Sequence, residues 1–170
     1  MAINPDDFVF RPATLDDVEG IGRLIRSYPD ELIARPPNSI IENIDRFTVA
    51  VSEEGEIVAC ACWQILPEIG NPGNTTVELQ SVAVKRELRS GHIGTRLIRT
   101  VLGRIVAFRP AQALVLTYAP GFFRTLGFRE IAKTQIMHKI YLGCIYCTKH
   151  SDPFTCPEIA MALDLHDYAR

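Results

Sequence analysis

A chain of 170 residues, 47% hydrophobic and 22% charged, has room for one globular domain with a sizeable core, burying roughly 70% of the surface its unfolded form exposes. The net charge of −2 mixes both signs, without a basic block or aromatic residues interleaved with basic ones, which argues against a nucleic-acid partner. No apolar run reaches the roughly 18 residues a membrane span requires. Met1 to Phe8 has neither the basic nor the apolar stretch of a signal peptide, so the expected location is cytoplasmic. Five cysteines in that setting favour reduced thiols or a metal over a disulfide framework.

Phe8 to Arg11 reads as a short first strand. Thr14 to Asp17 has the Thr-x-x-Asp form of a capping box, and the helix it starts carries Leu15, Val18, Ile21, Leu24 and Ile25 on one face. Pro29, Pro36 and Pro37 break the next segment, after which Asn38 or Ser39 caps a short helix through Ile40, Ile41 and Ile44. Phe47 to Ser52 and Ile57 to Leu66, joined by Glu53-Glu54-Gly55-Glu56, predict a β-hairpin. Cys60 and Cys62 then share one strand face as small buried thiols, with Trp63 opposite. Pro67 to Thr76, containing Gly70-Asn71-Pro72-Gly73-Asn74, is a loop.

The stretch Glu78 to Val106 organises the rest. Val77, Leu79, Val82, Ala83 and Val84 suit a strand. A polar turn follows, and then Ile93, Leu97, Ile98, Val101, Leu102, Ile105 and Val106 recur at helical spacing, with Arg96, Arg99 and Arg104 turned elsewhere. A strand feeding a small-residue turn at a helix start leaves backbone N–H groups unpaired at the positive end of the helix dipole, which suits a phosphate or pyrophosphate. Gly91 lets the backbone approach and Arg89 adds charge. Ala113 to Thr117 is a short strand, parallel to the previous one if the helix is a right-handed crossover. Ile131 to Lys139 reads as another strand, residues 140–157 as a Cys-rich insertion, and Ile159 to Leu165 as the last strand.

The run Arg89-Ser90-Gly91-His92-Ile93-Gly94 resembles the (Arg/Gln)-x-x-Gly-x-(Gly/Ala) signature of the GNAT acetyltransferases. It matches at Arg89 and Gly94 and departs at His92, where the family has its middle glycine. Ala119 to Phe128, with Phe122-Phe123 before Gly127-Phe128, resembles the short helix and Gly-Phe exit near the end of the family's domain, which implies that Gly127 ends that helix as its C′ residue. The resemblance implies an α/β (α+β) GNAT fold, a mixed and mostly antiparallel sheet with helices on both faces, in a single domain over residues 1–170. It implies acetyl-CoA as cosubstrate. Its pyrophosphate would lie on Arg89, Ser90, Gly91, His92, Ile93, Gly94 and Thr95, its pantetheine arm against Val82 and Val84, with Phe123 close by. The Val84 N–H becomes the oxyanion donor and Glu78 the general base, a role chemically useful because an ammonium has no lone pair with which to attack. Phe123 matches the position of the family's tyrosine acid, which leaves Tyr118 as the substitute.

Glu78 to Val84, Leu116-Thr117 and Phe122-Phe123 with Gly127-Phe128 resemble the acetyltransferase domain of N-acetylglutamate synthases, and the segment from His138 to Ala160 is similar to the tail of their short single-domain forms. That likeness implies the α-amine of L-glutamate as acceptor, a step of arginine biosynthesis, with a homodimer as one arrangement. A dicarboxylic amino acid needs cationic partners, and Arg46, Arg124 and Lys139 are the candidates by position. Other acceptors within the resemblance are a different amino acid, a polyamine or a protein N-terminus. A non-catalytic acyl-CoA-binding module is the rival of another class, motivated by Phe123 and His92. In the insertion, Cys144, Cys147, His150 and Cys156 have the donor types of a structural zinc site. The tight Cys147-x-x-His150 spacing favours unligated thiols instead. His92 is a candidate phosphate ligand, His138 a packing residue and His166 part of a solvated tail.

Overall fold

The structure, a computed structural model, describes residues 3–68, 71–166 and 168, so Gly70 of the predicted loop lies outside them. The strands are β1 (Val9–Pro12), β2 (Phe47–Val51), β3 (Ile57–Leu66), β4 (Thr76–Val84), β5 (Gln112–Thr117), β6 (Arg129–Glu130) and β7 (Ile159–Asp164). The α-helices are α1 (Val18–Arg26), α2 (Pro37–Glu42), α3 (Ile93–Ile105), α4 (Pro120–Thr125) and α5 (Met137–Leu142). The strand order of the mixed sheet is β1-β2-β3-β4-β5-β7-β6. The described chain packs as two compact units, one of residues 1–63 and 80–104, the other of residues 64–79 and 105–170. β3 and β4 each begin in one and end in the other.

In the first unit β1, β2 and β3 pair antiparallel, Arg11 opposite Val49 and Val49 opposite Cys60. Ile21 and Ile25 of α1, Ile40 of α2, and Phe47, Cys60 and Cys62 form its core. Fully burying each of the large aliphatic or aromatic side chains among them is worth about 1.5–3 kcal/mol. The box before α1 forms through Asp17, whose carboxylate accepts from the Thr14 N–H at 2.7 Å. Bidentate Arg11 bonds at 2.7 and 2.9 Å hold the same carboxylate. The second helix starts differently from expectation. Pro37 occupies its first turn and no side chain caps it, because the fixed φ of proline presets helical geometry there without needing a bonded N–H. Ile44 then falls in a separate 3-10 turn, Ile44–Arg46. Along α3, Ile93, Leu97, Ile98, Val101, Leu102 and Ile105 are at most 1% exposed. Arg104 bends back from that helix, donating to the Phe47 carbonyl at 2.7 Å and the Thr48 hydroxyl at 2.8 Å. Past α3 the chain tightens into a 3-10 turn, so Val106 is no longer helical in the α sense.

In the second unit β4 and β5 run parallel with Glu78 opposite Leu114, β5 and β7 antiparallel with Leu114 opposite Ala162, and β6 flanks β7. Leu66, Leu114, Ile136 and Ala160 make its core. Helix α4 closes as predicted at Gly127, with Gly127 N–H donating to the Arg124 carbonyl at 3.0 Å and Phe128 N–H to that of Phe123 at 3.1 Å, a paired C-terminal cap.

The strand expected over 131–139 is corrected. The strand β6 is confined to Arg129–Glu130; Lys133–Ile136 is a 3-10 turn and Met137–Leu142 is helix. Ile136 and Ile140, four apart, are both buried, which is helical rather than alternating spacing. The Gln135 side chain accepts from the Ala132 N–H at 3.0 Å and starts the turn. Lys139 therefore lies on a helix and not at a strand end.

Candidate active site

The first unit holds the anion turn. Val82 and Val84 are half-buried, on either side of buried Ala83, as alternation along a strand demands. The strand is bent just before them, where Ser81 takes φ +51°. Arg35 braces that bend: its Nε donates to Ser81 Oγ at 2.7 Å and its Nη2 to Gln80 Oε1 at 2.6 Å. Sequence reasoning missed Arg35, whose partners are far along the chain and whose only local signal is a charge amid prolines.

Beyond β4, Arg89 is exposed and its fork grips Glu31 at 3.0 and 3.2 Å. Its Nε caps the Val84 carbonyl at 3.2 Å, and its guanidinium lies 4.8 Å from the centre of the Tyr28 ring. The Gly91 N–H donates to the Leu88 carbonyl at 3.1 Å. A Cβ on Gly91 would lie 2.2 Å from Ile3 Cγ2, so the close approach at this glycine is to the chain's own Ile3. His92, exposed, takes φ +58°, the left-handed conformation that favours glycine. The first α3 bond is from Arg96 N–H to the His92 carbonyl at 3.0 Å. The amides of Ile93, Gly94 and Thr95 thus precede any i→i−4 partner and face the helix's positive end. Ser90 is exposed beside them. Arg46, also in this unit, stands with its guanidinium 5.8 Å from the Trp63 ring centre.

The second unit holds the titratable groups. Glu78 is 4% exposed on β4, and its Oε2 meets Lys139 Nζ of α5 at 2.8 Å. The next helical turn makes room for that ammonium: a Cβ on Gly143 would stand 3.0 Å from Lys139 Nζ. Tyr118, just past β5, bonds His150 Nε2 through its hydroxyl at 2.8 Å, with Lys149 Nζ 5.1 Å from the ring centre. Burial, then the neighbouring Glu158, Cys156 and Cys147, push the Tyr118 phenol above its ordinary range. Glu158, which sequence reasoning did not single out, has its carboxyl pushed up by burial and by Glu78. Cys156, Lys149 and His150 pull it the other way.

Phe123 is 3% exposed and packs edge-on against Phe122 at 5.0 Å and Phe128 at 5.3 Å. Arg124 is exposed and pairs with Glu130 at 3.4 Å. Among the described residues of this unit, Lys139 is the carboxylate-binding candidate that meets Glu78. Cys144, Cys147 and Cys156 are partly buried free thiols. Among the described residues, no three His, Cys, Asp or Glu side chains are grouped so as to hold a metal, those of the insertion included. Among the same residues no helix is long and apolar enough to cross a membrane.

A parallel β4–β5 pair, a bent β4 and a helix whose first amides precede its i→i−4 bonds are features of an acyl-CoA-dependent transferase architecture. Residues 19–128 match the acetyltransferase (GNAT) family, and the chain belongs to it. It is 31% identical over 161 residues to an uncharacterized N-acetyltransferase of Chlorobaculum tepidum, covering 94% of this chain and 97% of that one. It is 32% identical over 124 residues to the amino-acid acetyltransferase of Aliivibrio fischeri, covering 71% of this chain but only 26% of that longer protein. Among solved structures, Rv2747 from Mycobacterium tuberculosis in complex with CoA superposes with a TM-score of 0.75 at 22% identity, over 92% of this chain and 98% of that one. The N-acetylglutamate synthase of Neisseria gonorrhoeae, complexed with coenzyme A and N-acetyl-glutamate, does so with 0.75 at 18%, over 94% of this chain and 35% of that one.

Proposed function

We propose that this acetyltransferase moves acetyl from acetyl-CoA to the α-amine of an acidic amino acid, L-glutamate before others, as in arginine biosynthesis. The observation that carries the reading is the buried pair of Glu78 and Lys139 at 2.8 Å. A carboxylate base and a cation for a substrate carboxylate are the two groups that an α-amino acid acceptor needs. In this reading Lys139 leaves Glu78 for the incoming carboxylate, and Glu78 then takes the ammonium proton, directly or through water. The amine attacks the thioester, the Val84 N–H donates to the developing oxyanion, and Tyr118, backed by His150, protonates the leaving thiolate. Amides from Ile93 to Thr95, with Ser90 and His92, bind the pyrophosphate of acetyl-CoA, while Val82 and Val84 lie along its pantetheine arm. The coarser relationship to an amino-acid acetyltransferase of Aliivibrio fischeri supports the acceptor class.

Glu158 favours a second reading. Its half-buried carboxyl and Glu78 act on one another electrostatically, and two carboxylates suit a cationic acceptor such as a polyamine. The test is a panel of amines with acetyl-CoA, read by release of free thiol. Turnover with glutamate and none with spermidine supports the acidic acceptor, and the reverse pattern replaces it.

A further inference from the structure

We propose that Cys144 and Cys147 form a reversible disulfide that turns the acetyltransferase down by moving the floor beneath Lys139. The inference rests on the reading of Glu78 and Lys139 given above for its effect on activity, but not for the chemistry of the two thiols.

Three observations carry it. Cys144–Tyr146 is a single 3-10 turn closed by Cys147 N–H donating to the Cys144 carbonyl at 3.1 Å. Residues i and i+3 of such a turn have Cα atoms within about 7 Å, against the about 4.4–6.8 Å a disulfide spans. Only two residues separate the thiols, so the ring closes at small entropic cost. Second, both thiols are free and partly exposed, unlike buried Cys60 and Cys62, so an oxidant of modest size reaches them.

Third, the turn is coupled to the ion pair. It begins at Gly143, whose N–H caps the Lys139 carbonyl at 3.0 Å and whose Cα side faces Lys139 Nζ. The Cys144 thiol also interacts electrostatically with Lys139 and Glu78. Bridging brings the two Cβ atoms to about 3.5–4.5 Å, which fixes the backbone from Cys144 to Cys147 and shifts Gly143 against the ammonium. A displacement of about 1 Å at a reacting group is enough for an effect of about 100-fold.

The oxidant is a low-molecular-weight disulfide. The Cys147 thiolate attacks one of its sulfurs, forming a mixed disulfide and releasing one thiolate. Cys144 then attacks the Cys147 sulfur and releases the second. The protein loses two electrons and two protons, and the small disulfide becomes two thiols.

The test treats the reduced full-length chain with oxidised glutathione and reads intact mass, peptide mapping, hydrogen exchange over residues 137–148 and acetyl transfer. The expected result is a loss of two hydrogens with no adduct and a bridge mapped to Cys144 and Cys147. Exchange over 137–143 changes, and activity falls about 10- to 100-fold and returns with dithiothreitol. Cys147→Ser should work normally when reduced and ignore the oxidant. No bridge, a lasting glutathione adduct, a bridge through Cys156, a bridge that leaves exchange and activity unchanged, or stoichiometric zinc on these thiols would each overturn the proposal. Turnover surviving Glu78→Gln while the bridge still forms and alters exchange would instead sink the role given to Glu78.

Discussion

Lys139 Nζ stands 2.8 Å from Glu78 Oε2, with side-chain exposures of 13% and 5%. The two residues come from a helix and a strand far apart in the chain, and the contact closes over Gly143. Two charges so far out of water each forfeit several kcal/mol of hydration, about as much as their attraction returns. The pair is therefore poorly explained as a stabilising device. A base and a cation held together, and separable by a substrate carrying its own carboxylate, is a use that fits.

Glu78→Gln should abolish the base while keeping an oxygen for Lys139 to bond. Turnover with the best amine is expected to fall by about 10²- to 10⁴-fold. Coenzyme A binding by calorimetry should be unaltered, since none of the groups assigned to the cofactor is changed. Unchanged turnover would remove Glu78 from the mechanism.

Removing one partner of the pair should be worse for the fold than removing both. Lys139→Met takes the ammonium at 2.8 Å away from the buried Glu78 charge, at a cost of about 3–5 kcal/mol. Lys139→Met with Glu78→Gln should cost clearly less than the sum of the single changes, by urea denaturation of all four proteins. The KM for glutamate should rise in Lys139→Arg, where charge remains but the reach differs. Simple additivity would mean that the two side chains do not interact in solution.

His92 has φ +58°, which a residue with a Cβ adopts at a cost of about 1–2 kcal/mol. Glycine adopts it freely but gives up about 0.5–1 kcal/mol of chain entropy on folding. His92→Gly should therefore stabilise the protein by up to about 1 kcal/mol. It should also leave coenzyme A binding intact if the backbone amides, and not the imidazole, hold the pyrophosphate. Lost binding in a well-folded His92→Gly protein would make the imidazole a ligand.

The elements that could be read in advance were those whose signal is local. The spacing of Ile93, Leu97, Ile98, Val101 and Leu102 describes α3 because one buried stripe admits one period. The hairpin over β2 and β3 and the Gly127 exit were legible for the same reason. Residues 131–139 were not, because the run has no clean two-residue alternation and only Ile136 and Ile140 keep helical spacing, so the choice rests on tertiary burial. The φ of Ser81, its brace by Arg35, and the meeting of Lys139 with Glu78 depend on partners brought together only by the fold. No local pattern announces them. His92 is an intermediate case: the motif marks the position, but its left-handed backbone is a matter of coordinates.

The five cysteines should divide by reactivity. Burial pushes the Cys60 thiol up to about 12 and the Cys62 thiol up to about 11, and their exposures are 0% and 1%. A thiol-reactive chromophore at neutral pH should reach Cys144, Cys147 and Cys156 in the native protein and Cys60 and Cys62 only after denaturation. Five equivalents reacting at once in native buffer would contradict the packing of β3 against α1.

Asp17 is 7% exposed, and its carboxyl is held below the usual range, first by the Arg11 hydrogen bonds and then by the Thr14 N–H and hydroxyl, against the opposing effect of burial. A carboxyl whose folded pKa is depressed contributes stability that is fully present above its unfolded value, about 4. That contribution is lost as pH falls from there through the lower folded value. Asp17→Asn removes the charge at every pH. It should lower unfolding free energy at neutral pH by about 1–3 kcal/mol, and the gap to wild type should close as pH falls below about 4. Urea midpoints for the two proteins across the acid range decide the matter. A gap that stayed constant into strong acid would show that Asp17 acts through its neutral hydrogen bonds alone, with no contribution from the ion pair to Arg11.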